Sequence, residues 1–127
     1  MEAFFSSPAF GVVGASKHKS KYGNKVLRSY MKNDHVVYPV NPKEDVIEGL
    51  NCYESVSELP KEVKSISIIT PPKVTEQVVK EAINKGIKNI WMQPGAESKE
   101  AIDTCLAHHI NVIAGGPCIL VVAGFKE

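Results

Sequence analysis

The 127-residue sequence predicts one α/β domain, residues 1–127, built on a mainly parallel sheet. Strand-like and helix-like patterns alternate along the chain, which implies strand–helix–strand units. The strand-like runs, about five in number, are apolar for most of their length, as in a sheet covered on both faces. Nearly every one stops at a Gly- or Pro-rich turn.

The elements follow in order. Phe10–Val13 is a short apolar strand ending at Gly14. Tyr22–Lys32 is helical, with Val26, Leu27, Tyr30 and Met31 spaced onto one face. His35–Val40 is β-rich and closed by Asn41-Pro42, and Ser65–Thr70 is stopped by Pro71-Pro72. Val74–Lys85 reads as a helix with Val78, Val79, Ala82 and Ile83 inward and Gly86 as its stop. Ile87–Met92 is the fourth strand; Ser98 caps a helix running to about His108, and Ile110–Ala114 is the fifth strand. The pattern is that of a doubly wound sheet of Rossmann type, in which ligands bind beyond the carboxyl ends of the strands. The turns expected along that edge are Gly14-Ala15-Ser16, Val40-Asn41-Pro42-Lys43, Thr70-Pro71-Pro72, Gln93-Pro94-Gly95 and Gly115-Gly116-Pro117-Cys118.

Composition narrows the function. Hydrophobic content of 43% and charged content of 23% are ordinary for a soluble globular protein. No apolar run approaches the roughly 20 residues needed to cross a bilayer, and the first residues lack a secretory pattern. Cys52, Cys105 and Cys118 form no CxxC pair, so they suggest reduced thiols in a cytoplasmic setting rather than a disulfide framework or zinc site. A net charge of +1 argues against a general attraction to nucleic acid. The charge is uneven, however: Lys17, Lys19, Lys21, Lys25, Arg28 and Lys32 crowd one segment, while acids gather from Glu44 onward. Such a segment suits a small anion, although a solvated helix face would also hold its later lysines.

The first turn is the most specific signal. A strand that breaks into Gly14-Ala15-Ser16, then into lysines and a helix, offers backbone N–H groups, a helix N-terminus and formal charge to a pyrophosphate. The nicotinamide dinucleotide pattern is GxGxxG with an acid after the second strand. This chain has Gly11-x-x-Gly14, and Asn41-Pro42-Lys43 where the acid is expected. A lysine there favours a ligand with a further phosphate near the adenosine ribose, which describes both NADP and coenzyme A.

The blocks Val13-Gly14-Ala15-Ser16, Lys21-Tyr22-Gly23, Tyr38-Pro39-Val40-Asn41-Pro42, Gly49, Pro71-Pro72, Trp91-Met92-Gln93-Pro94-Gly95 and Gly116-Pro117-Cys118 span nearly the whole chain. Together they resemble the small stand-alone CoA-binding proteins, which are similar to the CoA-binding domain of the succinyl-CoA synthetase α subunit. The resemblance implies that Gly14, Ala15 and Ser16, with the helix opening at Tyr22 and Gly23, hold the pyrophosphate of coenzyme A, with Lys21 as counter-charge. It implies that Val40, Asn41, Pro42 and Lys43 line the adenosine 3′-phosphate end and that Thr70, Pro71 and Pro72 wall the adenine or ribose. Gln93, Pro94 and Gly95 would face the pantetheine arm.

Other residues have ordinary uses beside functional ones. Ser16 can bond phosphate or cap a helix. Trp91 belongs to the core, and His108 and His109 offset a helix dipole rather than bind metal. Cys118 is either a small buried hydrophobe or a thiol close enough to that of CoA for mixed-disulfide or acyl exchange. No nucleophile–base set, HExxH helix or P-loop is present, so a binding module for CoA or acyl-CoA is expected rather than an enzyme. The alternatives are an NADP-dependent redox module and an interaction module with a vestigial site. A protein partner or a homodimer is compatible, and Ile119–Val122 is either a dimer surface or a terminal helix on the core.

Overall fold

The computed structural model describes residues 2–115. A five-stranded sheet runs β2-β1-β5-β6-β7, with β1 Ala9–Val13, β2 Val37–Val40, β5 Val63–Ile68, β6 Asn89–Met92 and β7 Asn111–Ile113. Every pairing in it is parallel. A separate antiparallel hairpin, β3 Val46–Ile47 and β4 Leu50–Asn51, follows β2. Beyond it Tyr53 makes a single parallel bridge to Val40 on the outer edge of β2. The full row therefore keeps the 3-2-1-4-5-6 order of a Rossmann sheet, with its third strand reduced to one bridge.

Helices α1 Glu2–Phe5, α2 Tyr22–Lys32, α3 Pro72–Lys85 and α4 Lys99–Ala107 accompany the sheet. Alternation along the strands splits the core in two. Phe10, Val12 and Trp91 join Phe4, Val26, Leu27 and Tyr30 on the face that carries α1 and α2. Ala9, Val13, Ile66, Ile68, Ile90 and Met92 join Val78, Val79, Ala82, Ala101 and Cys105 on the face that carries α3 and α4. Trp91 is fully buried, with Phe4 edge-on at 5.4 Å, and so is a core residue.

The expected elements recur with shifted ends. β2 begins at Val37 rather than His35 and β6 at Asn89 rather than Ile87. β5 covers Val63–Ile68 in place of Ser65–Thr70. α3 begins at Pro72, whose fixed φ suits a first helical position. Gly86 ends α3 with φ 87°, and Ser98 caps α4 through the Ala101 N–H at 3.0 Å. On α2, Met31 is exposed, and Gly23 and Asn24 complete the buried face.

Candidate functional site

Strand register places the predicted turns together. Val13 pairs with both Val40 and Ile68, and Ile68 pairs with Met92, so four strands end at one level. Gly14, Asn41, Thr70 and Gln93 consequently open on one edge of the sheet. Neighbouring connections diverge between β1 and β5, which is the switch point where such sheets take ligands.

Two glycines allow the turn after β1 to close. Gly14 has φ 91°, and a β-carbon on it would meet the carbonyl of Ile69. Gly23 lies on α2, where a β-carbon would fall on the carbonyl oxygen of Gly14. The strand end, the Ile69 turn and the helix start are therefore packed backbone to backbone.

No side chain caps α2. Its N-cap is Lys21, while Ser16 Oγ accepts the N–H of His18 at 3.1 Å, so Ser16 shapes the preceding loop rather than capping the helix. Asn41 holds the loop from the other side: its amide donates to Ala15 O at 2.8 Å and accepts the Lys43 N–H at 2.8 Å. Lys17 pairs with Glu44 at 3.7 Å, whereas Lys21 and Lys43 are exposed.

A cavity of about 400 Å³ opens at the switch point, within the range of small-molecule sites. Its apolar wall is Val13, Val40, Val56, Val74 and Val78. Its polar rim is divided: Asn41, Lys43 and Thr70 lie on the strand-end side, and Glu54 and Glu81 lie on the segment after β4 and on α3. A shallower groove of about 270 Å³ continues from Thr70 over Pro71 to Gln93, Pro94 and Gly95. Beyond it a recess of about 120 Å³ joins Ile69, Gln93 and Pro94 to Tyr22 at the start of α2.

The structure thus brings Gly14, Val40, Asn41, Pro42, Lys43 and Thr70 to the large cavity, and Pro71, Gln93, Pro94, Gly95 and Tyr22 to its continuation. Ala15 is buried under the loop, and Ser16, Lys21 and Gly23 flank it. Pro72 opens α3 and lines none of these hollows. Cys118 and Ile119–Val122 lie outside the described residues. Val13, Glu54, Ser55, Val56, Val74, Val78 and Glu81 are additions to the expected site. Of these, the spacing of Val74, Val78 and Glu81 along one helix face was the available signal.

Among the described residues no cluster of His, Cys, Asp and Glu could hold a metal. His108 is exposed at the end of α4, with Nδ1 3.0 Å from Thr104 O. Cys52 and Cys105 are free thiols. The Cys52 thiol is held above its ordinary value by burial, opposed by a backbone hydrogen bond with Asn41 and helped by Glu44 and Asp45. No helix among these residues is long and apolar enough to cross a membrane.

With this geometry, residues 9–124 match the family model described as CoA binding domain. The chain belongs to that family. It is 34% identical over 129 residues to ADP-forming acetate–CoA ligase I of Archaeoglobus fulgidus, covering 94% of this chain and 19% of the ligase. To the α subunit of ADP-forming acetate–CoA ligase II of Pyrococcus furiosus it is 34% identical over 91 residues, 71% of this chain and 20% of the subunit. The chain spans about a fifth of the length of these curated relatives. Among solved structures, a conserved hypothetical protein of Pyrococcus furiosus superposes with a TM-score of 0.85 at 46% identity, covering 90% of this chain and 97% of that one. A hypothetical protein of Pyrococcus horikoshii OT3 gives 0.89 at 29% identity, covering 94% and 84%.

Proposed function

We propose that the chain, residues 1–127, is a single domain that binds coenzyme A or an acyl-CoA and has no catalytic activity of its own. The supporting observation is the 400 Å³ cavity at the β1–β5 switch point, continuous through Thr70 with the groove to Gln93 and Pro94. An adenine suits the valine-lined part of the cavity, where flat apolar walls meet a polar rim. Glu81 repels phosphate from the α3 side, and the adenosine 3′-phosphate turns to Lys43, beside Asn41 and Pro42. The pyrophosphate lies on Gly14, Ala15, Ser16 and the uncapped first turn of α2 at Tyr22 and Gly23, with Lys21 as counter-charge. The pantetheine arm follows Pro71, Gln93, Pro94 and Gly95. Pro72 opens α3 behind that wall, and Cys118 is assigned to the thiol end from its sequence block Gly116-Pro117-Cys118 alone.

The relatives are named as acetate–CoA ligases, of whose length this chain matches about a fifth. Any acyl transfer in which this domain takes part would draw its chemistry from residues outside the domain. Free Cys52 and Cys105 fit a reducing cytoplasm.

Calorimetric titration with CoA, NADP and NAD tests the reading. Micromolar or tighter CoA binding, weakened by substitution at Lys43, is the expected result. A preference for NADP would transfer the site to a redox module, and failure to bind any of the three would leave an interaction module.

A further inference from the structure

The loop between Gly14 and α2 is held by its carbonyls. Ala15 O accepts from Asn41 Nδ2 at 2.8 Å, and Ser16 O accepts from Asn24 Nδ2 at 2.9 Å. His18 O accepts the Lys21 N–H at 3.0 Å, and Lys19 O accepts from Arg28 Nη2 at 3.1 Å. In a trans peptide the carbonyl of one residue and the N–H of the next point in opposite directions, and there is no cis bond among the described residues. Fixing these four carbonyls against the protein turns the N–H groups of Ser16, Lys17, Lys19 and Ser20 away from it. None of those four amides donates to an acceptor among the described residues.

Asn24 is the centre of this arrangement. It is fully buried on α2. Besides Ser16 O, its Nδ2 donates to Glu48 Oε2 at 3.0 Å, and its Oδ1 accepts from Arg28 Nε at 2.6 Å. The amide can face only one way, since a flip would set NH2 against the guanidinium and oxygen against two acceptors. Glu48 lies with φ 51°, before Gly49 with φ 78°, in the two-residue turn of the β3–β4 hairpin. That turn type favours Asn, Asp or Gly at its first position. A glutamate there is a poor local choice, offset by its bond to Asn24.

Resting on the CoA reading above, we propose that Asn24 is a positioning residue, held by Glu48 and Arg28, that pre-organises the amides of the Ser16–Ser20 loop for the pyrophosphate. The hairpin is thereby coupled to anion affinity without touching the anion.

The test uses the full chain with Asn24→Ala and Glu48→Gly, each titrated with CoA while amide resonances are followed. Glycine suits the left-handed turn, so Glu48→Gly keeps or raises the melting temperature while removing the carboxylate. The expected result is CoA binding weakened about tenfold by Asn24→Ala and about two- to fivefold by Glu48→Gly. In the unaltered chain the Ser16, Lys17, Lys19 and Ser20 amides shift on adding CoA, and in both variants that response shrinks. If Asn24→Ala does not fold, Glu48→Gly decides alone. Wild-type CoA affinity in the folded variants, or silent loop amides in the unaltered chain, overturns the proposal while leaving CoA binding intact. No CoA binding by the unaltered chain removes the functional reading, and this inference with it.

Discussion

The α-carbon of Gly23 rests against the carbonyl oxygen of Gly14, with no room for a methyl group between them. This contact sets how closely α2 approaches the end of β1. It makes Gly23 a packing residue for the loop after β1, whatever else it touches.

Gly23→Ala should therefore cost about 1–3 kcal/mol, the range for overpacking a close contact, because the obstructing atom is backbone and cannot rotate aside. The first turn of α2 would lift from Gly14, so CoA affinity falls with stability. Urea denaturation and titration of the same sample check this, and an unchanged midpoint would show that the helix relaxes freely.

Lys43 should distinguish CoA from dephospho-CoA. Lys43 is exposed and lines the cavity. Lys43→Ala is expected to weaken CoA about two- to fivefold, as for an exposed charge pair, and to leave dephospho-CoA unchanged. The gap should narrow as salt rises from 0.05 to about 0.5 M, since an exposed pair is screened. Equal losses for both ligands would place the 3′-phosphate elsewhere.

Much of the scaffold behind these predictions is legible in the sequence, and the reasons are local. Val26, Leu27 and Tyr30 make a buried helical stripe, and α2 spans the expected Tyr22–Lys32. The apolar strands and their Gly/Pro stops locate the binding edge in the same way. The β3–β4 hairpin escapes because two-residue strands carry no period, and Glu48-Gly49 is a weak turn signal. α1 is a single turn, too short for a stripe. Asn24 reads as an ordinary polar helix residue because its defining partner, Glu48, lies 24 positions further on. Val74, Val78 and Glu81 show helical spacing, but only the tertiary structure turns that face toward a cavity instead of a closed core.

Tyr30 joins α2 to the centre of the sheet through a buried bond of 2.6 Å to Ser67 Oγ, with its ring stacked on Phe10 at 4.9 Å. Tyr30→Phe keeps the stacking but strands the Ser67 hydroxyl, and should cost about 1–3 kcal/mol. Adding Ser67→Ala should recover part of that loss, because a stranded hydroxyl costs more than none. A double variant less stable than the sum of the single changes would contradict this account.

Alkaline stability offers a further check on the α4 face of the core. Burial pushes the Cys105 thiol from its ordinary 9.0 up to about 11. In the unfolded chain the thiol ionises first, so between these values the unfolded state binds fewer protons than the folded one. Stabilisation from this group is therefore complete below pH 9 and lost progressively as pH rises to 11, with a slope of at most about 1.4 kcal/mol per pH unit. Burial pushes the Tyr30 phenol upward in the same sense, adding a fall above its ordinary value of 10.0. Cys105→Ala lowers stability at neutral pH through the small cavity it leaves, yet removes the thiol's share of the alkaline slope. The two unfolding curves should converge between pH 9 and 11, because every other titrating group is common to both proteins. A constant gap across that window would mean that the folded thiol ionises as freely as the unfolded one, and that α4 packs less tightly than its buried face indicates.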